Sequence, residues 1–138
     1  MSNVSLFRTY LQQINVHMEE VQDGGEVYFR TTQSFENGGS VLLVVSFNDR
    51  EDLVDLNIYN IANIKNPLKK EAVHSLINEL NVQYRFTKFM ESEGRISAQY
   101  SMNVVPNQLD PEQIFNKLIM LLRSAEDTYP KFMKLQWA

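Results

Sequence analysis

The clearest pattern in the chain is a near-strict alternation between Arg95 and Val105. Ile96, Ala98, Tyr100, Met102 and Val104 fall on one side, and Ser97, Gln99, Ser101 and Asn103 on the other. Successive side chains of a strand point to opposite faces, so this segment predicts a strand with one apolar and one wet face. An antiparallel sheet packed on one side gives that pattern, whereas a parallel sheet buried on both does not. Val27 to Phe35 alternates too, with Val27, Phe29, Thr31 and Phe35 opposed to Tyr28, Arg30 and Thr32. Leu53 to Ile61 sets Val54, Leu56 and Ile58 against Asp55, Asn57 and Tyr59. Val41 to Phe47 is apolar on both sides for most of its length, which predicts a central strand.

Turn signals separate these runs. Asp23-Gly24-Gly25, Asn37-Gly38-Gly39 and Ser92-Glu93-Gly94 have the composition of hairpin turns, and Asn48 to Asp52 is a polar connection. Tyr84 to Glu91 is strand-like in its aromatic and β-branched content. Val16 and Met18 alternate with His17 and Glu19, which fits an additional edge strand near residues 16–21.

The remaining periodicity is helical. Leu6, Phe7, Tyr10, Leu11 and Ile14 predict a short first helix. Asn66-Pro67 opens a second, with Leu68, Ala72, Val73, Leu76, Ile77 and Leu80 as its apolar stripe and Asn81 at its end. Asp110-Pro111-Glu112-Gln113 is the strongest helix start: Asp110 caps, Pro111 fits the first position and Gln113 can complete a capping box. A wide apolar sector through Ile114, Phe115, Leu118, Ile119, Leu121, Leu122 and Ala125 follows. Pro130 is expected to kink or end this helix near Tyr129, leaving Lys131 to Ala138 as a second helical piece. The order is α-βββ-α-ββ-α, which predicts an α+β fold with an antiparallel sheet and helices packed on one face, as a single domain over residues 1–138.

Composition narrows the chemistry. The chain has no cysteine, which excludes disulfides, thiolate metal sites and cysteine nucleophiles, and suits a reducing cytoplasm. Its net charge of −4 disfavours nonspecific binding to nucleic acid or anionic lipid, and Lys69-Lys70 is the longest basic run. No signal-peptide pattern and no apolar run of membrane-spanning length is present, so no membrane partner is expected. His17 and His74 form no metal-ligand pair, and Asp49-Arg50-Glu51-Asp52 lacks the glycine and terminal glutamate of a calcium loop. The glycine pairs sit at hairpin turns rather than in a phosphate cradle, and no serine stands in a nucleophile elbow. No cofactor, metal or catalytic residue is therefore assigned. Tyr28, Phe29, Phe86 and Phe89 could stack bases on an open sheet, but only Arg30, Arg85 and Lys88 accompany them, so core packing is the expected role.

The last ten residues resist a purely structural reading. Tyr129, Phe132, Met133, Leu135 and Trp137 crowd a segment that in most chains is polar. Either this tail packs on its own domain or it meets a partner; for the second case, the apolar surplus of the last helix nominates Leu118, Leu122, Phe132, Met133 and Trp137 as interface candidates.

This pattern resembles the YbjN-like family of small bacterial proteins, described as sensory transduction regulators and similar in fold to type III secretion chaperones. The likeness covers nearly the whole chain. It rests on the element order, the acidic small size and the strand Val27 to Phe35 after a Gly-Gly turn. It also rests on Val41-Leu42-Leu43-Val44-Val45, Leu56-Asn57-Ile58-Tyr59, Asn66-Pro67, Tyr84-Arg85-Phe86 and the closing helix. The resemblance implies a non-enzymatic protein that dimerises and binds other proteins, with no catalytic residues to carry over. Secretion chaperones hold an extended client segment along hydrophobic patches of sheet and helix. The expectation is a cytoplasmic homodimer acting as a regulatory or chaperone-like protein-interaction module. The alternative is a small-ligand-binding protein or enzyme with a pocket between sheet and helices, lined by Tyr28, Tyr59, Tyr100 and carboxylates.

Overall fold

The computed structural model describes residues 1–138 and contains three α-helices and six strands. Ser2 starts α1 (Asn3–Gln13) by accepting the Ser5 N–H on its side-chain oxygen, and Val4, Phe7 and Leu11 form the buried stripe. A meander follows: β1 (Glu19–Asp23), β2 (Glu26–Ser34), β3 (Ser40–Phe47) and β4 (Leu53–Asn63). A 3₁₀ turn (Pro67–Lys69) capped by Asn66 leads into α2 (Lys70–Gln83). The hairpin β5 (Lys88–Ser92) and β6 (Arg95–Asn103) precedes α3 (Pro111–Trp137).

The strands form one antiparallel sheet in the order β1-β2-β3-β4-β6-β5. Its register aligns Phe29, Val45, Leu56 and Tyr100 across one face, and Arg30, Val44, Asn57 and Gln99 across the other. All three helices pack on the first face. Phe7 of α1 meets Phe29 and Phe47 at ring distances of 5.1 and 5.7 Å, and Phe132 of α3 meets Phe89 at 6.3 Å. Twenty-six buried apolar residues make one continuous cluster between sheet and helices. β3 lies third in the sheet, as its composition requires, although only Val41, Leu43, Val45 and Phe47 are fully buried, while Leu42 and Val44 are half-buried.

Two glycines are fixed by close contacts. Gly94 has φ +84°, and a Cβ there would lie 2.8 Å from the Ile64 carbonyl oxygen. At Gly39 a Cβ would lie 2.7 Å from the Tyr129 ring, which also packs edge-on against Phe35.

Several boundaries differ from the sequence expectation. The extra edge strand exists but runs Glu19–Asp23, because Val16 and Met18 are drawn into packing against the core. Strand β5 begins at Lys88, since Thr87 is diverted to a 2.8 Å hydrogen bond with Ser124 on α3. Asn81 does not end α2, which continues to Gln83; its amide instead binds the Phe89 backbone, donating to the carbonyl and accepting from the N–H. Pro130 does not end α3, which is one helix of 27 residues, about 40 Å long. Tertiary packing overrides the lost backbone bond: Ala125 and Thr128 before Pro130, and Phe132 after it, are all buried against the sheet. Asp110 accepts the Gln113 N–H at 3.3 Å, which makes one half of the expected capping box.

Candidate interaction surfaces

The face of the sheet away from the helices carries a mixed surface. Alternation in β2, β3, β4 and β6 sends Tyr28 and Arg30, Leu42 and Val44, Asp55, Asn57 and Tyr59, and Ser97 and Gln99 outward. Leu42 and Val44 give it an apolar floor. Tyr28, Arg30, Asp55 and Asn57 border a depression of about 400 Å³ there. A second depression of about 370 Å³ reaches from Leu42 and Tyr59 to Asn60 and Arg95, so the two are continuous through Leu42 and Tyr59. Asn60 has φ +68° at an irregularity in the β4–β6 register between Ile58 and Ala62. Asparagine tolerates that conformation better than most residues.

Charges on this face are unevenly matched. Arg30 donates to both carboxylate oxygens of Glu19, at 3.2 and 3.1 Å, and its guanidinium stands 5.9 Å over the Tyr28 ring. Those hydrogen bonds hold the Glu19 carboxyl below its ordinary range. Asp55 accepts only from the Ser101 hydroxyl and has no cationic partner. Burial first, and the nearby Asp55 charge second, push the Tyr59 hydroxyl above its ordinary pKa. At the centre sits Asn57, 5 % exposed, whose Oδ1 is buried and meets no donor. It is the one buried side-chain polar atom of the chain without a partner, and such a group costs about 1–3 kcal/mol.

The second surface belongs to α3. Its five sequence-nominated residues separate. Leu118 and Phe132 are 0 % exposed within their own chain, so they are withdrawn as contact residues: their side chains form the core against the sheet. Leu122 and Met133 are half-buried and Trp137 is 78 % exposed, on the flank of the helix beside Tyr129. Met133 and Trp137 border a cleft with Gly39 and Arg95 at the end of the sheet. Lys69 fixes this end of α3, donating from Nζ to the Leu135 carbonyl at 2.6 Å, to Gln136 at 3.2 Å and to the Ala138 oxygen. A cation on the last helical carbonyls opposes the negative end of the helix dipole.

Tyr28, Tyr59 and Tyr100 do not converge on one pocket between sheet and helices; a depression of about 440 Å³ there lies instead at the edge of the sheet, between Lys70 and Val73 of α2 and Glu91, Glu93 and Gly94 of the β5–β6 hairpin. Tyr28 and Tyr59 lie on the uncovered face, Tyr100 lies on the helix side beside Phe86 and Lys117, and the intervening space is filled by the core. His74 pairs with Glu91 at 2.7 Å, and Glu91 also accepts the Gly94 N–H at 2.8 Å. The Gly94 bond first and His74 second hold the Glu91 carboxyl below its ordinary range. No group of three or more His, Asp or Glu side chains is placed to hold a metal ion, and no helix is long and apolar enough to cross a membrane.

Sequence reasoning placed Asn57 on the outer side of its strand but missed its burial. The available signal was an amide between Leu56 and Ile58, where a β-branched residue is the usual choice. No curated protein matches the chain. The model of one family does, described as "Putative bacterial sensory transduction regulator", and the match spans residues 3–133. That description names a regulator rather than an enzyme, and the span takes in every strand, α1, α2 and most of α3. The chain therefore belongs to the YbjN family.

Proposed function

We propose that the chain is a non-enzymatic, regulatory protein-interaction module that works as a cytoplasmic homodimer and, like a chaperone, holds a client protein against the uncovered face of its sheet. The observation that carries this reading is that face: Tyr28, Leu42, Val44 and Tyr59 are presented on the side that no helix covers. Aromatic and apolar groups within a polar surround are what protein interfaces use at their centres. Self-association is assigned to the flank of α3, through Leu122, Met133 and Trp137. A two-fold pairing there buries both copies of an indole that is 78 % exposed in the single chain.

Trp137 is the sole tryptophan, so it reports its own contact. Light scattering at micromolar concentration is expected to give twice the chain mass of 16.1 kDa, with Trp137 emission moving to the blue as dimers form. Trp137→Ser is expected to return the single-chain mass. A single-chain mass at every concentration, with unchanged emission, refutes the homodimer.

A further inference from the structure

We propose that the depression around Asn57 is where the client is recognised, and that it takes a cationic side chain, the guanidinium of an arginine or the ammonium of a lysine on the partner protein. This inference rests on the docking of a client on the uncovered face. Two independent observations support it. The first is Asn57 itself, 95 % covered yet with an acceptor oxygen that no group of the chain serves. The oxygen itself is enclosed; rotation about the Cβ–Cγ bond exchanges the two ends of the amide and brings it to the depression without backbone movement, leaving the amide N–H groups in its place. A strand position flanked by Val44 and Gln99 is filled more stably by valine, and a sequence that keeps an unserved amide there keeps an acceptor.

The second observation is the charge around it. Asp55 lies two residues away on the same strand face, and Glu26 borders the same depression with Asp23 opposite it in register. Arg30 is the one cation lining the depression, and both of its bonds to Glu19 are already made. What remains is a set of acceptors with unneutralised carboxylates beside the ring of Tyr28 and that of Tyr59. Lysine and arginine are donors without acceptors, and both are attracted to the face of an aromatic ring. An acidic side chain would meet Asp55 and Glu26 as like charges.

The test uses the isotopically labelled full chain and three blocked tripeptides, Gly-Arg-Gly, Gly-Gln-Gly and Gly-Glu-Gly, at matched ionic strength. Amide shifts are read by NMR. The arginine peptide is expected to give saturable shifts confined to the Asn57 side-chain amide and the backbone of Asp55, Tyr59 and Gln99, and the glutamate peptide none. Asp55→Asn and Asn57→Val are each expected to weaken binding at least fivefold. Asn57→Val is also expected to raise the melting temperature by roughly 3 °C or more, since it removes an unserved buried acceptor. Equal shifts from the glutamine and arginine peptides at these positions leave docking intact and overturn the cation assignment. Shifts scattered over every acidic patch, or binding untouched by both substitutions, overturn the assignment to this depression. Silence from all three peptides counts against docking on this face as well.

Discussion

Replacing Asn3 by alanine removes a clamp that holds three remote segments together. Asn3 is 0 % exposed; its Nδ2 donates to the Glu51 carbonyl at 2.8 Å and to the Val105 carbonyl at 3.0 Å, and its Oδ1 accepts the Leu109 N–H at 3.0 Å. Glu51 answers in kind, since its Oε1 accepts the Val4 N–H at 2.7 Å, one of the orphan donors at the start of α1. The two carbonyls belong to surface residues and recover hydration after truncation, but the Leu109 N–H is buried and does not. Two lost hydrogen bonds at about 1 kcal/mol each, plus one stranded donor at about 1–3 kcal/mol, set the expected loss at about 3–5 kcal/mol. For a domain of this length that lowers the melting temperature by roughly 10–17 °C. Urea unfolding followed by far-ultraviolet circular dichroism measures it, with Asn116→Ala on the exposed side of α3 as a control within about 0.5 kcal/mol. A loss under about 1 kcal/mol for Asn3→Ala would show that the loops find other partners and would refute the clamp.

Asn81→Ala removes both bonds to the Phe89 backbone and is expected to destabilise the chain by about 1 kcal/mol, with faster hydrogen exchange at Phe89 and concentration-dependent association through the bared β5 edge. Unchanged exchange at Phe89 contradicts this. Gly39→Ala drives a methyl into the Tyr129 ring and is expected to lose about 1–3 kcal/mol in thermal unfolding, while Tyr129→Leu in the same background recovers part of the loss. Glu20, held low by Arg8, and Glu91, held low by the Gly94 N–H and His74, bind protons less readily in the folded state than in the unfolded one. Their stabilisation is present above the ordinary carboxylate pKa and lost as pH falls through the depressed folded values. Glu91→Gln is accordingly expected to flatten the decline in melting temperature as pH falls below the ordinary carboxylate range, and an unaltered slope counts against that assignment.

The architecture was legible wherever burial on one face forces a two-residue period. Phe29, Val45, Leu56 and Ile58 declared their strands, and Phe7 and Leu11 their helix, because each must point at one core. Boundaries set by side-chain to backbone bonds were not legible. Asn81 has the composition of a helix stop, yet a partner eight residues along the chain makes it an edge cap. Pro130 has the composition of a break, yet burial on both sides of it carries the helix through. The interface candidates divided for a related reason: an apolar helical sector shows how much surface is greasy but not which part the sheet consumes. Leu118 and Phe132 went to the sheet, while Trp137 lies on the flank that it leaves.

The treatment of polar groups differs between the parts of the sheet, and that difference bears on function. The β5 edge is closed by Asn81, and Glu19 and Glu20 of β1 are engaged by Arg30 and by Arg8, whose Nε lies 2.7 Å from Glu20. Both arrangements oppose strand-on-strand contact. On the helix side, Thr87 and Ser124 share a hydrogen bond, and Thr128 donates to the Ser124 carbonyl at 2.8 Å. Asn3, more deeply buried than Asn57, has three partners. A sequence that satisfies its hydroxyls and amides this completely in the core has the means to satisfy Asn57 as well, or to replace it with valine. The exception falls on the one face that the helices leave bare, beside Asp55, a carboxylate without a counter-ion. The donor that the fold withholds there is the one that the proposed cationic side chain of a client supplies once the amide turns outward.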